Sequence, residues 1–185
     1  MFIRTERLFL RPGWPEDLDD LVRAFDDSDI RRNVGVSQLP TTAAEISTYL
    51  ERPRNPRLPH FFMYLRSADG PELVGGIGLG QHGDDVELGY WILPRHRGRG
   101  FAGEAVRAVL DQARTLGHKR LIAVHFADSG VSPHILEAAG FRDTGRVTER
   151  FGAGRGGNSP ARIFALDLER RANPRIKAQV HQLSA

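Results

Sequence analysis

An apolar run from Val86 to Leu93, one proline, six residues holding three arginines and two glycines, then an amphipathic helix: this junction limits the fold of the chain most sharply. Pro94 cannot donate to a strand ladder, so the first run ends there. From Phe101 onward apolar residues fall at 101, 102, 105, 106, 109, 110 and 113, the spacing of one helix face, and Gly117 supplies a stop. Leu121–Phe126 reads as a second buried strand. Strand, helix and strand in that order make a βαβ unit.

The loop inside this unit, Arg95-His96-Arg97-Gly98-Arg99-Gly100, is an anion site on physical grounds. A first helical turn has unpaired N–H groups and a partial positive charge. Glycines let the backbone close around a phosphate, and arginines add charge-assisted donors. His96 reads as one more donor in the loop. The loop lacks the Gly-Lys-Ser/Thr ending of a Walker motif and the Gly-x-Gly-x-x-Gly of a dinucleotide fold. A tight turn with solvated arginines is the competing account.

The rest of the chain reads as α+β. Leu8–Leu10 is a short strand, and Pro15 opens a helix through Leu18, Leu21, Val22 and Phe25. Asp26–Arg32 and Gly35–Pro40 read as loop. Thr42 and Glu45 form a capping-box pattern before a second helix. Phe61–Leu65, Leu73–Leu79 and Val86–Leu93 read as an antiparallel meander. Ser132-Pro133 starts a short helix that Gly140 stops, and Arg146–Phe151 and Ile163–Leu168 flank the glycine-rich loop Gly152–Gly157. This makes about seven strands and about four helices. A single domain over residues 1–171 and a peripheral tail over 172–185 are expected, and a chain of this length can bury roughly 70% of its unfolded surface.

Several classes are excluded or disfavoured. No run approaches the roughly 20 apolar residues of a membrane span, and charges near Met1 do not suit a signal peptide. A cytoplasmic protein without a membrane partner is the expectation. With no cysteine there is no disulfide, thiol nucleophile or thiolate metal site. The seven histidines form no metal pattern, so no metal is expected. Only Lys119 and Lys177 are lysines, and the other basic residues are arginine, whose fork binds phosphate in two-pronged fashion.

The loop, preceded by Tyr90-Trp91-Ile92-Leu93-Pro94, resembles the Arg/Gln-x-x-Gly-x-Gly/Ala signature of the GNAT superfamily of N-acetyltransferases. Thr5-Glu6-Arg7-Leu8-Phe9-Leu10-Arg11-Pro12 resembles the opening of its ribosomal-protein N-terminal (alanine/serine) acetyltransferase branch. Leu73–Leu79, Glu87-Leu88-Gly89-Tyr90-Trp91, Gly103-Glu104-Ala105 and Ser132–Phe141 resemble further segments in order. The resemblance implies a mixed, mostly antiparallel sheet whose βαβ unit carries acetyl-CoA. It implies that Arg95, Arg97, Gly98, Arg99, Gly100, Phe101 and Ala102 hold phosphates, partly through backbone N–H groups. Ile92 and Leu93 then pair with the pantetheine arm, and neighbouring strands splay to admit the thioester. Ser129 stands where the branch has an asparagine that grips this arm; Asp128 could substitute only with a one-residue shift. Leu136 stands where many members carry a tyrosine.

Acetyl transfer to an amine, by direct attack without an acyl-enzyme, needs a neutral amine and a proton for the departing thiolate. Glu87 is the candidate base, directly or through water; a solvent-facing carboxylate is the competing reading. Ser132 is the candidate proton donor, a role compatible with capping its helix. Glu104 is explained by the helix dipole. The acceptor is a protein N-terminal α-amino group or a small amine, met by Asp26–Pro40 and Gly152–Pro160. Asp26, Asp27 and Asp29 could attract a cation or be merely solvated. The alternative is a catalytically silent acyl-CoA-binding regulatory domain. Nucleic acid is disfavoured, because the arginines cluster at one turn without interleaved aromatics. A homodimer stays open.

Overall fold

The computed structural model describes residues 1–34, 40–67, 70–128 and 133–169. Strands β1 (Ile3–Arg4), β2 (Leu8–Arg11), β3 (His60–Ser67), β4 (Gly70–His82), β5 (Asp85–Ile92), β6 (Arg120–Phe126), β7 (Arg142–Gly152) and β8 (Gly157–Asp167) form one sheet. Its order is β1-β2-β3-β4-β5-β6-β8-β7. Helices are α1 (Leu18–Asp26), α2 (Ser28–Asn33), α3 (Ala43–Glu51), α4 (Phe101–Thr115) and α5 (Pro133–Ala138). The antiparallel meander spans β3, β4 and β5, and among the described residues the β5–β6 pair alone is parallel.

Among the described residues, eight strands and five helices stand where the sequence suggests about seven and about four. The two additions are β1, only two residues long, and α2, inside the stretch read as loop. Helix α2 has six residues and one buried side chain, Ile30, so no apolar period announces it. Its start is held by Asp27, whose carboxylate accepts from the N–H groups of Asp29 and Ile30. Strand β7 begins earlier than expected, because its exposed first residues and a register shift between Asp143 and Val147 erase the alternation. The tail from residue 170 on lies outside the described residues.

Two apolar layers sandwich the sheet. On one face Leu8, Leu10, Met63, Ile77, Leu79, Leu88, Leu121 and Phe164 pack against α4 and α5. All seven apolar positions read on α4 are buried. On the other face Phe62, Tyr64, Leu73 and Leu93 pack against Leu21, Phe25, Ile30, Ile46 and Leu50 from α1, α2 and α3. A buried ion pair fixes that second layer. Arg11 donates from Nη1 and Nη2 to Asp17 at 2.7 and 2.6 Å, and Asp17 also accepts from Tyr64 Oη and Trp14 N–H. The guanidinium lies over the rings of Trp14 and Tyr64. Among the described residues, no helix is long and apolar enough to cross a membrane.

Candidate active site

The arginine loop leaves β5 through a single 3-10 turn at Pro94–His96 and enters α4 at Gly100. Gly98 and Gly100 take φ of +71° and +80°, a left-handed conformation that strains any residue with a Cβ. No side chain caps α4, so its first N–H groups are left to an external acceptor. Arg97 and Arg99 sit beside this terminus. Arg97 Nε donates to the Ile92 carbonyl at 3.2 Å and Nη1 to Asp29 at 2.9 Å. Arg95 pairs with Glu72 at 3.3 Å, and Arg99 lies over Phe101. This donor set fits a pyrophosphate.

His96 differs from expectation. It is 3% exposed and packs edge-on to Phe101, so it supports the loop from beneath rather than donating outward. Burial, together with the charges of Arg95 and Arg99, outweighs the pull of Glu72 and lowers its pKa. A tie that the sequence does not advertise also holds the loop. Glu104 accepts from Thr5 Oγ1, Arg7 N–H and Arg7 Nε at 2.6, 2.8 and 2.7 Å, while Arg7 Nη1 donates to the Arg99 carbonyl. Burial raises the Glu104 pKa, but those hydrogen bonds outweigh it and the net shift is downward. The helix dipole is thus only part of the reason for this glutamate.

Strand β5 registers with β6 at one position, Glu87 with Ile122. Toward Ile92 the ladder has no further registered partners. Leu93 N–H donates to the Val74 carbonyl and the Leu93 carbonyl accepts from His96, so both its backbone groups serve the fold. Alternation along the antiparallel ladder turns the N–H and C=O of Ile92 away from β4, toward the parting. Ile92 N–H therefore offers a strand edge to an extended ligand, its carbonyl accepting from Arg97 Nε, and Leu93 offers none. Five residues at ~3.3 Å each separate Ile92 from Glu87. The track joins the arginine loop to that carboxylate.

Glu87 faces the α1–α3 side, beside Gly80, its register partner, and Gly89. A Cβ at either glycine would meet nothing within 4 Å, so the strand surface next to the carboxylate is bare. The Gly76-x-Gly78-x-Gly80 alternation carries this signal: glycine on one face, buried Ile77 and Leu79 on the other. Arg150 Nη1 donates to Glu87 Oε1 at 2.7 Å, and His82 Nδ1 lies 3.3 Å from Oε2. The Glu87 and Arg150 side chains are 11% and 18% exposed, so the carboxylate is not the solvent-facing group of the competing reading.

The wall beyond Glu87 is built from distant segments. The turn Ala153–Arg155 packs on α2 so closely that a Cβ on Gly154 would lie 2.6–2.8 Å from the backbone of Arg31 and Arg32. Arg155 donates from Nε to the Arg32 carbonyl and from Nη1 to Asp128, which also pairs with Arg32. These hydrogen bonds and charges hold the Asp128 carboxyl at about 2. Asp128 is thereby engaged by Arg155 and Arg32. The acidic cluster is likewise spent internally: Asp26 on Arg31, Asp27 on the α2 cap, Asp29 on Arg97. Leu136 is fully buried and brings no donor. Ser129 and Ser132 lie outside the described residues. Among the described residues, no three His, Asp or Glu are grouped to hold a metal ion.

The family described as Acetyltransferase (GNAT) domain matches residues 7–142, most of the chain. The chain belongs to the GNAT acetyltransferase family. A curated relative, the uncharacterized N-acetyltransferase YoaA of Bacillus subtilis, is 30% identical over 150 residues, covering 77% of this chain and 84% of YoaA. A GNAT-family acetyltransferase of Bacillus anthracis superposes with a TM-score of 0.75 at 21% identity, over 92% of this chain and all of that one. Mycobacterium smegmatis RimJ, solved with a CoA-disulfide, gives 0.74 at 21% identity, over 95% and 88%. Those solved structures share the fold with this GNAT protein.

Proposed function

We propose that this GNAT protein transfers the acetyl group of acetyl-CoA directly to a primary amine, without an acyl-enzyme. The acceptor is a protein N-terminal α-amino group or a small amine. The observation that carries this reading is the single track from the arginine loop, along the open edge of Ile92, to a carboxylate on a bare strand surface. The loop and the first turn of α4 take the pyrophosphate. Arg95, Arg97 and Arg99 take charge from the phosphates, and Arg97 exchanges its own contacts with Ile92 and Asp29 for the ligand.

Glu87 is the carboxylate that serves the amine proton, and Ser132 is the donor to the departing sulfur. An α-amino group with a pKa near 8 costs about 1 kcal/mol to deprotonate at neutral pH, and lysine several. An N-terminal substrate therefore asks little of the base, and positioning supplies much of the rate. The runner-up is a silent coenzyme binder, favoured by the buried Leu136, which removes a proton donor from α5.

Thermal unfolding with and without acetyl-CoA tests the reading, on wild type and on an Arg97→Glu, Arg99→Glu double variant. At 100 times Kd the ligand adds roughly 2.7 kcal/mol, which raises the midpoint by on the order of 5–10 °C. The shift is expected in wild type and not in the variant. Release of CoA with α-amino peptides or alkyl amines then separates enzyme from silent binder. A saturating ligand that leaves the wild-type midpoint unmoved would overturn both.

A further inference from the structure

We propose that His82 accepts the amine proton and that Glu87 positions it, an inference that rests on the acetyltransferase reading and assigns its base. Both oxygens of Glu87 already have neighbours: Arg150 on Oε1 at 2.7 Å and the His82 imidazole at 3.3 Å from Oε2. A carboxylate facing a guanidinium is better suited to holding a cation than to taking a proton from a substrate. His82 is the last residue of β4, on the same face as Gly80, the register partner of Glu87. Its side chain is 45% exposed, so the ring reaches both the carboxylate and solvent. The bare strand surface at Gly80 and Gly89 leaves room beside it for an amine.

The charged groups around the ring are few. Asp85 is its partner across the β4–β5 hairpin and lies 3.9 Å from Arg120 of β6. Arg150 of β7 lies beyond Glu87. In the proposed arrangement Nδ1, 3.3 Å from Oε2, carries the ring proton, and the lone pair lies on Nε2. As the acceptor nitrogen bonds to the acetyl carbon, its surplus proton passes to Nε2, and Glu87 stabilises the imidazolium that results. The carbon–sulfur bond breaks with its electron pair going to sulfur, which takes a proton from Ser132 and so leaves as the thiol. Bulk water then restores Ser132 and drains His82.

His82→Asn is the diagnostic variant, because its amide can still donate to Glu87 from near the Nδ1 position but cannot act as base. With an α-amino acceptor that releases CoA from wild type, kcat is expected to fall about 10²-fold while acetyl-CoA Kd holds. Unchanged kcat overturns the proposal. Nitrogen-15 spectra of the imidazole, assigned by the signal missing in His82→Asn, give a readout independent of activity. A protonated Nδ1 and bare Nε2 at neutral pH, lost in Glu87→Gln, are expected. A proton on Nε2 instead would sink the assignment even if acetyl transfer proceeds. The expected tautomer in a protein that acetylates nothing would instead fail the acetyltransferase reading.

Discussion

Arg97 reaches the carbonyl of Ile92, five residues away; Arg155 reaches the carbonyl of Arg32, 123 residues away. Both contacts hold part of the proposed site. The coenzyme wall is made by one continuous run, in which a strand, a turn with two left-handed glycines and a helix terminus follow each other. The proposed acceptor wall is made by α2, the turn before β8, Arg150 and Glu87, which only the finished sheet brings together. Local backbone geometry secures the first, and global packing secures the second. The two walls should fail separately.

The largest separation is expected from Asp17→Ala, which strands the buried Arg11 beneath the α1–α3 layer. Removing one partner of a buried pair costs about 3–5 kcal/mol, or roughly 10 °C in a domain of this size. The midpoint shift given by acetyl-CoA should survive at temperatures where the variant is folded. An unmoved wild-type midpoint would mean that the pair anchors nothing. The same variant sharpens the pH behaviour. Burial raises the Asp17 pKa, but hydrogen bonds from Arg11, Tyr64 and Trp14 outweigh it, and the folded value is lowered. Its contribution is therefore complete above the ordinary carboxylate range near 4 and lost as pH falls through the folded value. Midpoints recorded from pH 6 downward should fall less steeply in Asp17→Ala than in wild type.

Gly100→Ala attacks the coenzyme wall alone. A Cβ at φ +80° costs about 1–2 kcal/mol and would sit 3.3 Å from Arg7 Nη2. Calorimetric titration should show weaker acetyl-CoA binding, with the acceptor KM unchanged at saturating coenzyme. The smallest effect is expected from Arg155→Ala, which frees α2 from the turn before β8. Acceptor KM should rise about fivefold, near 1 kcal/mol, at constant acetyl-CoA Kd. A change in coenzyme affinity instead would join the two walls into one unit.

The same division governs what the sequence shows. The strand end at Pro94, the loop glycines and the seven apolar positions of α4 depend on neighbours within a turn or two, and period and spacing report them. Arg150 and Arg155 instead meet Glu87 and Arg32, partners far away along the chain. Arg150 meets Glu87 across 63 positions, and an exposed strand with a bulge hides its facing. Leu93 looks like an open strand edge until register assigns its N–H to Val74. Helix α2 is one cap and one buried isoleucine, too little for a 3.6-residue period. The glycine alternation in β4 is visible in the sequence, but its meaning depends on Glu87 lying across from Gly80.

The arginines of the coenzyme loop have one more consequence. A thioester acylates any neutral amine held beside it, and a lysine among residues 94–100 would compete with the acceptor for the group the site delivers. A guanidinium keeps its proton at every physiological pH and offers no lone pair for that attack. Of the two lysines in the chain, Lys119 is exposed and paired with Glu169, away from the loop. The proposed cradle is thus chemically deaf to its own reagent: as an acetyl-donor site it would offer no amine of its own to label.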